Sequence, residues 1–201
     1  MSAILSVKKL SMIVHSNLVP RFSLFLQQGF TLRARVGCSI KTLLCDQLGM
    51  SPEYLEERVQ TIFLDGKPID DASSATLKPG STLALSAALP GLAGATLRRG
   101  GYYASLRSQI SHRDERISEP SHEGTIFLKL FNLTLKELGP TFLTHGIWIN
   151  GDNLLKFFRD QPEDFWEDCQ VAEVDGETII PEKLREMTWE ERDVFLRVSI
   201  N

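Results

Sequence analysis

Residues 98–116 bring together Arg98, Arg99, Arg107, Arg113 and Arg116, with Tyr102 and Tyr103 among them and only Asp114 and Glu115 in opposition. Guanidinium groups take carboxylates or phosphates in a bidentate fork, and tyrosine rings stack on flat partners. The chemistry on offer is binding. The chain as a whole carries a net charge of −4 and has no RNA-binding motif, which favours an acidic protein surface over nucleic acid as the partner of Arg98, Arg99, Tyr102, Tyr103 and Arg107. The charge is also uneven: residues 1–122 sum to +4 and residues 123–201 to −8, so the second half is itself a candidate counter-surface.

Groups that could break bonds are sparse. Cys38, Cys45 and Cys169 form no CxxC pair and no metal-ligand spacing with His15, His112, His122 and His145, so neither a disulfide framework nor a metal site is expected. Cys38 precedes a predicted helix, whose exposed N–H groups would favour a thiolate, but small buried apolar side chains on nearly one helix face explain both Cys38 and Cys45. His112 and His122 lie in a polar stretch with no nucleophile beside them. Glu163, Asp164, Glu167 and Asp168 form an acidic run best explained by the positive end of a helix. No P-loop, GxGxxG, HExxH or GxSxG occurs. We therefore expect no catalytic residues, no cofactor and no enzyme.

The elements that would carry these groups follow from patterning. A chain of 201 residues, 42% apolar and 24% charged, can bury one core or two, and no apolar run reaches the ~20 residues of a membrane span. The expectation is a soluble cytoplasmic protein. Phe22, Leu24 and Leu26 alternate, Gln28-Gly29 offers a turn, and Leu32, Ala34 and Val36 alternate again, predicting a hairpin. Ser39 caps a predicted helix through Ile40, Leu43, Leu44 and Leu48, and Ser51-Pro52 opens another helical turn. Strands are predicted at 60–64 and 82–87, with turns at Asp65-Gly66 and Lys78-Pro79-Gly80. Hairpin, helix, strand, turn and strand within about seventy residues suit a two-layer α+β unit in which one helix crosses a mixed sheet.

At this point the residues resemble the ubiquitin-like β-grasp family. Ile62-Phe63-Leu64-Asp65-Gly66-Lys67-Pro68-Ile69-Asp70-Asp71 is similar to the ubiquitin segment where an Ile-Phe strand meets a Gly-Lys turn, and Ser81–Leu85 is similar to its last strand. Ala88–Gly94 resembles the proline-then-small-residue tail of prokaryotic sulfur carriers of the molybdopterin-synthase small-subunit and thiamine-synthesis type. Leu97-Arg98-Arg99-Gly100-Gly101 resembles the Leu-Arg-Gly-Gly end of ubiquitin. The resemblance implies a non-catalytic protein-interaction module. It also implies an alternative, a carrier or modifier whose terminal glycine is adenylated by an activating enzyme, with an isopeptidase as a second partner. Both glycine tails are internal, so that alternative requires a proteolytic cut after Gly101, leaving Gly100 and Gly101 as the carrier tail; without a cut, these glycines serve a tight turn or close packing beside a partner.

The pattern then starts again. Ile126, Leu128 and Leu130 alternate, a turn is predicted near Gly139-Pro140, and 146–149 reads as a second strand. Leu154, Leu155, Phe157 and Phe158 predict a helix, 171–174 a strand, and Asp175-Gly176 echoes Asp65-Gly66 at an offset of 110 residues. Thr188 with Glu191 offers a capping box before a last strand at 194–200. The expected organisation is a β-grasp domain over 1–94, a basic arm over 95–124 with Tyr103, Leu106, Ile110 and Ile117 at helical intervals, and a second small α+β domain over 125–201, either a divergent β-grasp repeat of the first or an unrelated fold.

Overall fold

The computed structural model describes residues 8–107, 120–189 and 193–201. The chain opens with strand β1 (Lys9–Val14), whose alternate residues Leu10, Met12 and Val14 are buried. A 3-10 turn (Ser16–Phe22) and helix α1 (Ser23–Gln28) follow, so the hairpin predicted over 22–36 does not form. The reason is a competing period: Phe22, Phe25 and Leu26 stand at i, i+3 and i+4 and are all buried, whereas Leu24, which the strand reading needed inside, is 45% exposed. Strand β2 (Phe30–Val36) is as predicted, with Phe30, Leu32, Ala34 and Val36 buried.

Ser39 caps the next segment, its hydroxyl accepting from Thr42 N at 3.1 Å, and Thr42–Gln47 is wound as a π-helix. Helix α2 (Pro52–Glu57) has Pro52 in its first turn and Ser51 as its cap, as predicted. Strands β3 (Thr61–Leu64) and β4 (Lys67–Ile69) are joined by Asp65-Gly66, both left-handed at φ 51° and 78°. This is the backbone of a two-residue hairpin turn. After β5 (Thr82–Ser86) comes helix α3 (Gly91–Leu97), where the carrier alternative needed an extended tail. Of the helix expected in the basic arm, a 3-10 turn over Tyr102–Arg107 is present; Ile110, His112, Arg113, Asp114, Glu115, Arg116 and Ile117 lie outside the described residues.

Strand β6 (His122–Phe131) leads into helix α4 (Asn132–His145) and then strand β7 (Ile147–Asn150). The second predicted hairpin is therefore absent, and Gly139-Pro140 lies inside a helix. Leu135, Phe142 and Leu143 recur at helical spacing and are buried, and Thr134 fastens the first turn through its hydroxyl to Phe131 O and Leu85 O. Helix α5 (Gly151–Arg159) is capped by Asn150 and buries Leu154, Phe157 and Phe158; helix α6 (Glu163–Glu167) carries Glu163 and Asp164 in its first turn. Strands β8 (Cys169–Val174) and β9 (Glu177–Ile179) flank Asp175-Gly176, again both left-handed. Strand β10 (Asp193–Ile200) ends the chain; the predicted capping box involves Glu191, outside the described residues.

The chain is α+β and divides into two compact units, residues 26–137 and residues 1–25 with 138–201. In the first, the strand order is β4-β3-β5-β6-β2: β2 is antiparallel to β6, β6 parallel to β5, and β5, β3 and β4 antiparallel in turn. In the second the order is β7-β10-β1-β8-β9 with the same succession of senses. The repeat suspected from Asp65 and Asp175 thus extends to the whole strand plan. Asp65 exchanges hydrogen bonds with the backbone of Thr82 at the start of β5, and Asp175 does the same with Lys9 at the start of β1. The boundaries expected at 94 and 125 do not follow this division: β6 belongs with residues 26–137, and β1 with residues 138–201. Among the described residues no helix is long and apolar enough to cross a membrane.

A second pair of matching positions supports the repeat. Gly29 (φ 111°) precedes β2 with the Phe127 ring over it, and Gly146 (φ 100°) precedes β7 with the Phe195 ring over it; a Cβ would lie 2.3 Å and 2.1 Å from those rings. Replacing either glycine by alanine strains the backbone and displaces the ring, and we expect a loss of about 2 kcal/mol. Gly80→Ala, at φ 79° with open space around it, should cost about 1 kcal/mol. Urea denaturation of the three variants checks the order; equal losses would remove the ring contact from the explanation.

Candidate functional site

The arginine–tyrosine cluster lies on the connection from β5 to β6, within the unit of residues 26–137. Its first part is α3, which at Gly94 packs against the residue before its own cap, where a Cβ would stand 1.9 Å from Leu89 O. Only glycine permits that approach. The helix stops at Arg98, whose backbone is extended, and Arg99 N then donates to Gln60 O at 2.8 Å, tying the chain to the residue before β3.

Arg99 and Arg107 turn inward. The Arg99 guanidinium donates from Nη1 to Leu55 O and Val59 O, both at 3.0 Å, from Nε to Asp70 O at 3.2 Å and from Nη2 to the Glu56 carboxylate at 3.1 Å. The last carbonyls of a helix lack partners within it, so Arg99 serves as a side-chain cap at the end of α2. Arg107 is only 2% exposed. Its Nε donates to Thr96 O at 2.8 Å, and its Nη2 to Asp70 Oδ1 at 2.5 Å and to Arg98 O at 3.4 Å. Asp70 Oδ1 also accepts from Gly100 N at 3.1 Å. Asp70 is thus the hub of the segment.

Two expected binding residues therefore serve the fold instead. Gly100 (φ 58°) and Gly101, whose N–H donates to Arg98 O at 3.2 Å, form a held turn rather than an extended tail. What faces outward is Arg98, which is exposed, with Tyr102 (91% exposed), Tyr103, Leu92 and Leu106. The Tyr102 and Tyr103 rings meet edge to face at 5.1 Å.

Two concavities adjoin Arg98. One, of 170 Å³, is lined by Gln60, Thr61, Leu89 and the small residues Ala88, Gly91, Gly94 and Ala95; the other, wider and of 420 Å³, by Glu56, Glu57, Asp70 and Arg99, with Gln60 and Arg98 common to both. Thr61 is 1% exposed and its hydroxyl has no hydrogen-bond partner. Nothing in the sequence marks Thr61, one threonine in a short strand, and Asp70 showed only as part of the ubiquitin-like pattern.

Titratable groups elsewhere add little chemistry. Burial raises the Cys38 and Cys45 thiols and pushes Cys169 up to about 11, so a thiolate at Cys38 is not favoured. Cys38 Sγ donates to Arg35 O, and Gln47, which supports it, also pairs with both backbone groups of Arg35. Glu137 is held below the usual carboxylate range by hydrogen bonds from Arg58 and Tyr54, while burial and the same carboxylate raise the Tyr54 phenol. Asp71 is lowered by the Ser73 N–H, an Asx turn beside the hub. Among the described residues no group of three or more His, Cys, Asp or Glu could hold a metal ion.

The inward and outward arginines should separate in stability measurements. Arg107→Met removes the donor to the Thr96 carbonyl and one of the two donors to Asp70 Oδ1, and we expect a loss of about 2 kcal/mol. Arg98→Met should change stability by no more than about 0.5 kcal/mol. Thermal unfolding followed by circular dichroism distinguishes them. Compared with family models, curated proteins and solved structures, the chain matches none.

Proposed function

We propose that this chain is a non-catalytic protein-interaction module built from two β-grasp units, and that the partner contacts the face formed by α3 and the following 3-10 turn. The mixed strand order of each unit with a parallel pair inside it, and the helical segments that lead from β2 to β3 and from β7 to β8, support the β-grasp reading. The observation that carries the functional reading is Tyr102, 91% exposed beside Leu106 at 73%, on a segment fastened from behind by Arg99 and Arg107. Large exposed apolar side chains on a rigid support bind with little ordering cost, and aromatic and arginine side chains dominate interface energetics. Arg98 supplies the charge that selects an acidic partner. The carrier alternative has no such support, because Gly100 and Gly101 sit in a hydrogen-bonded turn.

A photo-crosslinking residue placed at position 102 in the native host tests the proposal. We expect one discrete heavier species, reduced at least about five-fold by Arg98→Glu. A crosslinking residue at exposed Glu177, in the other unit, serves as control. The same adduct from both positions, or none from position 102, would overturn the assignment.

A further inference from the structure

We propose that residues 8–25 are a donor arm, and that the groove they fill between β8 and β10 also accepts the same arm of a second copy of this chain, giving a dimer whose two members complete each other. The inference makes no use of the arginine–tyrosine face and stands apart from the interaction reading above.

The two units obtain the strand inside their sheets differently. In residues 26–137 the strand between β3 and β6 is β5, which follows β4 in the same stretch of chain. In the other unit the matching strand, between β8 and β10, is β1, brought from the far end of the sequence. The match holds residue by residue: Thr82 pairs with Phe127 and Lys9 with Phe195, the two phenylalanines whose rings lie over Gly29 and Gly146. Leu10 and Met12 thus take the places of Leu83 and Leu85, and all four are buried. Residues 26–137 hold every strand of their own sheet order, whereas 138–201 lack the strand that joins β8 to β10. Until an arm arrives, the facing edges of β8 and β10 offer unpaired N–H and C=O groups, which is a template for any strand of the right pattern.

The arm is more than a strand. Leu18, Phe22 and Phe25 follow β1 and are buried, and the Phe22 and Phe25 ring centroids lie 5.1 Å and 4.9 Å from that of Phe157. His15 N donates to Asp168 O at 3.0 Å, and Asn17 Nδ2 to the Asp168 carboxylate at 2.6 Å. These contacts recognise alternating apolar residues followed by an aromatic turn, and none of them depends on which chain supplies the segment. The arm reaches β2 through Gln27-Gln28-Gly29, where both glutamines are exposed. Opening there lets an identical arm enter with identical contacts, so exchange costs only the change in the linker and the entropy of association, which concentration offsets. Removing the arm uncovers Leu10, Met12, Val14, Leu18, Phe22 and Phe25, so exchange between folded monomers is slow and the dimer forms on refolding at high concentration.

One pair of side chains allows a direct test. Met12 stands opposite Ala172 across the β1–β8 ladder, and the two are 1% and 0% exposed. Met12→Ala leaves a hole there and Ala172→Met overfills it, so each full-length variant is impaired alone. An exchanged pair of the two holds one wild-type contact and one in which the hole receives the added side chain. We expect isotopically heavy Met12→Ala and light Ala172→Met chains, refolded together, to give heterodimer in at least about ten-fold excess over either homodimer by native mass spectrometry. The double variant Met12→Ala/Ala172→Met, with both changes in one chain, should melt above both single variants. Dimers in statistical proportion, or a double variant no more stable than the singles, would overturn the proposal. Wild-type heavy and light chains give a reading free of substitutions: mixed dimers are expected after refolding together, and monomer alone at every concentration would overturn it.

Discussion

Two parallel strands cannot be joined by a tight turn, and each unit of this protein has a parallel pair at the centre of its sheet. Much of the architecture follows from that constraint. In residues 26–137 the pair is β5 and β6, and the chain needs a long crossover to return from the end of one to the start of the other. In the other unit the pair is β1 and β10, supplied from opposite ends of the sequence. The candidate site is the β5–β6 crossover, whose described portion is α3 and the 3-10 turn. A connection that topology makes obligatory carries the exposed Tyr102, Leu106 and Arg98.

A crossover of this length acts as a rigid surface only if its backbone is fastened, and two guanidiniums do this. Arg99 closes the end of α2 and reaches Asp70 O; Arg107, buried, joins the end of α3 to the Asp70 carboxylate. A buried guanidinium is costly unless its donors are satisfied. Arg107 has carbonyl and carboxylate acceptors, and Asp70 remains partly exposed, so its charge keeps some hydration. Arginine's five donors in a planar fork explain why lysine would not replace it in either position. The fastening also separates roles by direction: arginines that point in hold the segment, and the one that points out can meet a partner.

Local structure was legible wherever a single residue type is required. Asp65-Gly66 and Asp175-Gly176, the Ser39 and Ser51 caps and the alternation of 30–36 were all readable, because each depends on neighbours in sequence. The hairpins at 22–36 and 125–149 were not. Phe22, Leu24 and Leu26 satisfy a strand period, but Phe22, Phe25 and Leu26 satisfy a helical one, and tertiary burial chose the second. Strand partnership was beyond local reading as well. Nothing within 122–131 says that its antiparallel partner lies at 30–36, or that residues 9–14 lie between β8 and β10. Within the site, the charges of Arg98, Arg99 and Arg107 were evident but their directions were not, since these depend on acceptors at Leu55, Val59, Asp70 and Thr96.

The central claim is therefore the parallel pairing of β5 with β6 that makes their connection a crossover. Cross-strand NOEs measured on the full chain address it directly. The structure requires backbone contacts between Leu32 and Ile126 and between Leu85 and Leu130. Contacts joining 126–130 to 147–149 in a local hairpin, with none from either segment to residues 30–36, would contradict it.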